Sequence, residues 1–442
     1  MDHLERLARD GYNRLIGLKM HATRSRSGAR SPTGTTSLHG QAVHCRHTRR
    51  SRVAPQYGRA VPEPCELPIP AYGVAALSDL LPSVLASLGV PDEPAVLELP
   101  PTFRAVVLLV DGLGLKLLAR YREAAPFLTS LATRSLTAGF PTTTVTGLAS
   151  LGTGLPPGEH GLTGYTSWVE EVDETVAWLN WTPVSGRQDL RDRLVPEQVQ
   201  HRPTVFERAE LDGVAVTVAA PARFEGSGLT RAVLRGGSYR GSVTPGDTVA
   251  LAAAGSSLST RSLVYCYTPD LDYTGHLRGT VSDAWLSQLR LVDNFAEELA
   301  ARLPRGTVLH VTADHGMVDV PEEARVDFAT CPVLQAGVRA LAGEPRARYV
   351  HCLPGASNDV LAAWQAELGD RMWVGRGADA MAAGLLGPHV TEVARSRVGD
   401  IVAVATSEVA VIDSTAGPLF SRLLGHHGAL TDDELLVPLL ST

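Results

Sequence analysis

Apolar and polar positions fall along this chain in blocks. "RAVVLLVDGLG" (104–114) holds six apolar residues in succession, from Ala105 to Val110. A run of strand length with no polar face predicts a strand covered on both sides, as in a parallel sheet. "GVAVTVAAP" (213–221), "SLVYCYTPDLD" (262–272) and "GTVLHVTADHG" (306–316) repeat the pattern. Between them the apolar period changes. "AWLSQLRLVDNFAEELAARL" (284–303) sets Leu286, Leu289, Val292, Phe295, Leu299 and Leu303 near one helical face. "LKLLARYREAAPFLTSLATR" (115–134) carries helical spacing too, and "GVAALSDLLPSVLASLGV" (73–90) reads as an amphipathic helix interrupted by Pro82. Alternating strands and helices predict an α/β domain on a mostly parallel central sheet flanked by helices.

Two stretches depart from this rhythm. Residues 1–60 show no sustained apolar period, and from 21 onward they are rich in Arg, Ser, Thr and Gly. Such a segment buries too little apolar area to offset its ordering entropy, so a basic, disordered extension is expected. His44, Cys45 and His47 lie in it, without the second ligand pair that a zinc site needs. Between 331 and 415, "ARYVHCLPG", "SNDVLAAWQAEL", "RMWVG" and "GDIVAVATSEVAVID" predict a small α+β unit. It is expected as a lid insertion, with the catalytic core formed by 61–330 and 416–442.

Charge narrows the partners. Residues 1–60 hold 12 basic against 3 acidic residues, which leaves 28 against 44 in the rest. An acidic body disfavours a nucleic-acid polymer and suits a site that collects cations. The five cysteines are scattered with no CxxC pair, and read as reduced thiols in a cytoplasm. No apolar run approaches the roughly 20 residues of a membrane helix, so no membrane partner is expected.

The chemistry gathers where the apolar runs end. Asp111 follows "VVLLV", Asp272 and His276 lie in "DLDYTGH", Asp314 and His315 end "VTADHG", and "GHHGAL" (425–430) offers a further His. In a parallel sheet the loops beyond the strand carboxyl ends converge on one crevice, so residues some 200 positions apart can meet there. Carboxylates and neutral imidazoles in such numbers suit two divalent ions, with zinc the best match. "FPTTTVTGLASLGTGLPPGEHG" (140–161) places three threonines before a stretch that can begin a helix, where a hydroxyl would sit at a positive helix end. Spacing alone leaves open which threonine reacts. Rival motifs fail: the third glycine of a GxGxxG is Leu117, a Walker lysine is replaced by Thr153, and no GxSxG occurs.

Taken together, "VVLLVDGLG", "FPTTT", "DLDYTGH", "ADHGM" and "GHHG" resemble the alkaline phosphatase superfamily, and within it the nucleotide pyrophosphatase and phosphodiesterase branch. The resemblance implies an alkaline-phosphatase-like core and a hydrolase cleaving phosphodiester or pyrophosphate bonds of small, nucleotide-like substrates. It further implies two zinc ions: Asp111, Asp314 and His315 hold one beside the nucleophile, and Asp272, His276 and His427 hold the other. The Pro-Thr-x-Thr pattern laid on Pro141–Thr144 makes Thr144 the nucleophile, itself a metal ligand. The pattern then breaks: Val145, Thr146, Gly147 and Leu148 stand where an aromatic, Pro, Asn and His usually follow. Tyr165 falls near the place of the phosphate-binding Asn, and its hydroxyl is the substitute donor expected there. "ARFEGSGLT" (222–230) is a candidate substrate loop by position, and Asp319 reads as a turn or surface residue. Alternatives are a phosphomonoesterase, a phosphonoacetate-type hydrolase or a phosphoglycerate mutase of the same superfamily. A metal-stabilised binding protein without catalysis is a further one.

Overall fold

The computed structural model describes residues 67–416 and 422–442; the extension 1–60, with His44, Cys45 and His47, lies outside them. In chain order the strands begin with β1 (Arg104–Val110), β2 (Ala132–Thr137), β3 (Thr166–Val169), β4 (Glu174–Ala177) and β5 (Thr182–Pro183). β6 (Ala215–Pro221), β7 (Ser238–Ser242), β8 (Ser262–Thr268) and β9 (Thr307–Thr312) follow. The remainder are β10 (Val318–Asp319), β11 (Arg325–Asp327), β12 (Val338–Glu344), β13 (Ala347–Cys352), β14 (Met372–Arg376), β15 (Ile401–Ala405), β16 (Ala410–Ile412), β17 (Gly425–His426) and β18 (Leu436–Ser441).

Seven strands form the main sheet in the order β2-β18-β9-β1-β8-β6-β7. From β9 to β7 the neighbours are parallel, and β18 runs antiparallel to both β9 and β2. The unbroken apolar run of β1 is explained by this order, because Ala105 to Val110 are all fully buried between β8 and β9. The mostly parallel sheet flanked by helices is as the apolar pattern predicts. Four helices matter for the site: α1 (Leu80–Ser87), α2 (Thr144–Thr153), α3 (Asp270–Arg278) and α4 (Asp283–Arg302).

Two local expectations change. Pro82 does not interrupt its helix; α1 begins at Leu80, so Pro82 sits in the first turn, where a backbone N–H has no helical partner to lose. The helix expected over 115–134 splits at Pro126 into Leu115–Arg120 and Pro126–Ser130, and its last residues form edge strand β2. Asp293 of α4 reaches the second piece and accepts from the N–H groups of Phe127 and Leu128. A distant carboxylate thus satisfies the donors that a five-residue helix leaves open.

A second sheet, antiparallel throughout, has the order β14-β15-β13-β12-β3-β4-β5. Residues 338–405 supply four of its strands, and β3–β5 join from the stretch just after α2. Its own core packs Tyr349, Trp364, Val402 and Val404. Arg346, in the β12–β13 turn, pairs bidentately with Glu434 just before β18, at 2.8 Å on both arms, and both are buried. The remaining Arg346 nitrogen donates to the carbonyls of Ser407 and Val409, so this pair is fully bonded. Among the described residues no helix is long and apolar enough to cross a membrane.

Two buried histidines tie the fold to pH. His160, between Ser150 Oγ at 3.1 Å and the Leu162 N–H, is held neutral, with its pKa lowered to about 3 by burial and then by Arg397. Burial lowers His310 to about 4. Unfolded imidazoles protonate near 6.5, so below that pH the unfolded chain binds more protons than the native one and stability falls as pH falls. Each group contributes at most about 1.4 kcal/mol per pH unit. Thermal melts should drop steadily from pH 6.5 to 5, and His160→Gln should flatten that slope; an unchanged slope would count against the assignment.

Candidate active site and metal centre

The loops beyond β1, β8 and β9 meet as parallel neighbours, with Val110 beside Thr268 and Leu109 beside Thr312. Asp111 directly follows β1, and Asp314 and His315 follow β9. Asp272 and His276 lie one turn apart on α3, which begins right after β8. β17, antiparallel to β10, carries the "GHHG" loop into the same crevice. His426 turns to the Leu423 carbonyl at 3.1 Å, whereas His427 enters the cluster and stacks on His315, ring centroids 3.7 Å apart.

The histidines share one orientation. Nδ1 of His276 faces the Gly425 carbonyl at 2.8 Å, that of His427 the Thr142 carbonyl at 2.8 Å, and that of His315 the Gly316 carbonyl at 2.9 Å. A carbonyl only accepts, so each Nδ1 carries the proton and each Nε2 can present a lone pair inward. Those lone pairs face one another and the carboxylates. His276 Nε2 lies 3.3 Å from His427 Nε2 and 3.2 Å from Asp272 Oδ2, and His315 Nε2 lies 3.5 Å from Asp111 Oδ1 and 3.6 Å from Asp314 Oδ2.

Electrostatics follow from this crowding. Burial, then Asp314 and Asp272, push Asp111 well above the usual carboxylate range. Asp314 is also raised, by burial foremost and by Asp272. Burial works the same way on Asp272, but His276 outweighs it and holds that carboxyl low; Asp272 in turn lifts His276 to about 9 against its burial. Asp314 Oδ1 takes the N–H groups of Gly112 and His315, while its Oδ2 and Oδ1 of Asp272 are buried without a hydrogen-bond partner. Orphaned carboxylate oxygens beside inward imidazole nitrogens fit a divalent cation. Two groups have the spacing for one: Asp272, His276 and His427, and Asp111, Asp272 and His315, with Asp272 common to both.

Thr144 is the first residue of α2, and its Oγ1 lies 3.4 Å from Asp111 Oδ1 and 3.3 Å from His315 Nε2. Two glycines allow the approach. A Cβ on Gly147 would stand 2.6 Å from Asp314 Cβ, so no larger residue fits between α2 and the end of β9. Gly112, at φ +73°, would meet Asp272 Cβ at 2.9 Å. Tyr165 reaches the neighbourhood through its main chain, its N–H donating to Glu344 Oε1 at 3.0 Å; burial, then Glu344, raise its phenol and keep it protonated.

Several participants carried no sequence signal. Tyr267 donates its hydroxyl to Asp111 Oδ2, and its ring packs edge-on against Phe224 at 5.8 Å, which links the 222–230 loop to the cluster. A buried tyrosine at a strand end needs a partner for its hydroxyl, and that requirement is the clue available in the sequence. Asp319 is not a free turn residue: both its oxygens accept from the Thr280 N–H, pinning the loop after α3 to β10. Glu344 is buried and takes a hydrogen bond from the Tyr165 N–H; burial raises it to about 7 against Thr143, Arg348 and that bond.

The fold is alkaline-phosphatase-like. Residues 105–430 match the family model for type I phosphodiesterase / nucleotide pyrophosphatase, and the chain belongs to that family of phosphoric ester hydrolases. Human ectonucleotide pyrophosphatase / phosphodiesterase 5 superposes with a TM-score of 0.60 at 18% identity, over 76% of this chain and 87% of that one. The murine counterpart gives 0.60 at 19% over the same shares, and an inactive variant of it in complex with AMP gives 0.60 at 18%. No curated protein sequence matches.

A cation that binds only the folded cluster stabilises it by about 2.7 kcal/mol at a hundredfold excess over its Kd. Chelator-treated protein should therefore melt several degrees below protein given zinc, and Asp272→Asn should remove most of the difference. Equal melting temperatures with and without the metal, read by scanning fluorimetry, would show that the cluster holds no ion.

Proposed function

We propose that this chain hydrolyses phosphodiester or pyrophosphate bonds of small, nucleotide-like substrates with Thr144 as nucleophile. The observation that carries the reading is the Thr144 hydroxyl at the N-terminus of α2, within 3.4 Å of Asp111 and 3.3 Å of His315. We assign Asp111, Asp314 and His315 as holders of one divalent ion and Asp272, His276 and His427 as holders of the other. Thr144 adjoins the first of these sets. Two ions there, zinc by the mix of carboxylates and imidazoles, would supply positive charge that eases loss of the Thr144 proton to water and balances the leaving oxygen.

The protein's own groups do the rest. Asp111 and His315 orient Thr144 Oγ1, and the α2 N-terminus places positive backbone dipoles beside the incoming phosphoryl group. Oγ1 forms a bond to phosphorus as the bond to the leaving oxygen breaks on the opposite side, and that oxygen acquires a proton from water. Attack by a second water then releases phosphorylated product and restores the threonine. Tyr165, with its phenol protonated, is the proposed donor to a phosphoryl oxygen. AMP in the murine structure supports a nucleotide-like substrate. The closeness of Glu344 to Gly428, next to His427, supports 331–415 as an insertion bordering the site. The free thiols of Cys266, Cys331 and Cys352 support a cytoplasmic location.

Thr144→Ala should lower turnover of an aryl phosphodiester by about 10³-fold or more, with bound zinc, measured by emission spectroscopy, near two per chain. Undiminished turnover would exclude Thr144. Aryl phosphodiester, aryl phosphomonoester, dinucleoside polyphosphate and phosphonoacetate assayed side by side should show the diester or the polyphosphate preferred; preference for the monoester would move the substrate class and leave the site standing.

A further inference from the structure

We infer that Glu344 is a specificity-determining residue: its carboxylate, set behind the nucleophile loop, makes the site select a singly charged phosphoryl group over a doubly charged one. The inference rests on the proposed reading of Thr144 and deepens it.

Placement comes first. Glu344 is the last residue of β12, in the second sheet, and is 4% exposed. Thr143 is the N-cap of α2, its side chain makes no capping bond, and it favours the charged form of Glu344. The Tyr165 N–H donates to the carboxylate. On the opposite side, a Cβ on Gly428 would stand 2.6 Å from Glu344 Cβ, so the stem of Glu344 lies against the main chain next to His427. His315 and His276 both feel its charge. One residue thus touches the segments carrying Thr144, Tyr165 and His427.

Charge comes second. Two residues along, Arg346 neutralises Glu434 in a bidentate pair. Glu344 has no such partner: Arg348 attracts it, yet among the described residues no ion pair within 4.0 Å includes Glu344, and Arg348 Nε donates to the Val411 carbonyl. Burying a carboxylate with a hydrogen bond but no counter-ion is costly. Its field is what it adds. A phosphomonoester near neutral pH brings two negative charges to Thr144 and a diester brings one, so the repulsion from Glu344 falls more heavily on the monoester.

The test uses two substrates that share a leaving group and differ by one charge, p-nitrophenyl phosphate and p-nitrophenyl methylphosphonate, at pH 8. The wild-type protein should show the larger kcat/KM for the methylphosphonate. Glu344→Gln should move the ratio about tenfold toward the phosphate, equivalent to about 1.4 kcal/mol. Glu344→Asp, which keeps the charge, should stay within about twofold of wild type. An unchanged ratio in Glu344→Gln, or equal shifts in both variants, overturns the inference. Should neither variant melt cooperatively, the wild-type arm decides, because preference for the dianion is itself disproof. Wild-type inactivity on both substrates would sink the proposed function along with this inference, whereas activity with an unmoved ratio sinks the role of Glu344 alone.

Discussion

Acceptors facing acceptors at the centre of the molecule are the constraint on which the rest depends. Three imidazoles give their Nδ1 protons to main-chain carbonyls and turn Nε2 toward one another and toward Asp111, Asp272 and Asp314. The donors that reach the cluster, from Tyr267, Thr144 and two backbone N–H groups, leave Asp272 Oδ1 and Asp314 Oδ2 without a partner, so positive charge has to be shared among the groups. The carbonyls that orient the rings come from Gly316, Gly425 and Thr142. The backbone must therefore approach from three directions at once, and glycine is what permits it. Met317 fills the remaining gap, its sulfur lying where a Cβ on either Gly275 or Gly425 would be, 2.4 Å away in each case.

Such a cluster pushes its own walls apart unless they are tied, and the ties are polar. Glu434 is the clearest. Its carboxylate receives Arg346 from the second sheet together with the Ala429 N–H and the Thr431 hydroxyl, and its carbonyl accepts from the Gly316 N–H. It thereby joins the loop after His427 to the loop after His315. A buried ion pair of this kind adds little net stability over a well-packed apolar pair, but loss of one partner leaves a buried charge and costs about 3–5 kcal/mol. Its value is positional, since it fixes two loops whose glycines would otherwise leave them loose. Asp319 does similar work for the end of α3.

What could be read from the sequence follows the length scale of each interaction. The buried strands were legible because a parallel sheet covered on both faces writes a continuous apolar run, as in Ala105–Val110. The polar residues just past those runs were legible because strand ends in such a sheet converge. Competition between local and tertiary forces was not: 115–134 has helical spacing on paper, yet the first helix stops at Arg120, Pro126 opens a second, and β18 offers 132–134 an edge to pair with. Residues that act across the fold left no trace either. Glu344 ends "VRALAGE", a stretch with no regular alternation to set its side chain apart, and its hydrogen bond from the Tyr165 N–H spans 179 positions.

The break in the family pattern after Thr144 has a steric cause that bears on where phosphate recognition can reside. With Gly147 against Asp314, α2 lies so close to the end of β9 that any side chain at 147 would lift the helix, and Thr144 with it, away from Asp111 and His315. A polar residue there would cost Thr144 its position. A side-chain donor at 147 is thus excluded, and Tyr165, the proposed donor, lies outside α2. The segment entering β3 and the end of β12 are already joined by the Tyr165–Glu344 hydrogen bond and reach α2 through Thr143. The close packing of α2 on β9 therefore leaves the second sheet to supply the side chains of the proposed substrate contacts.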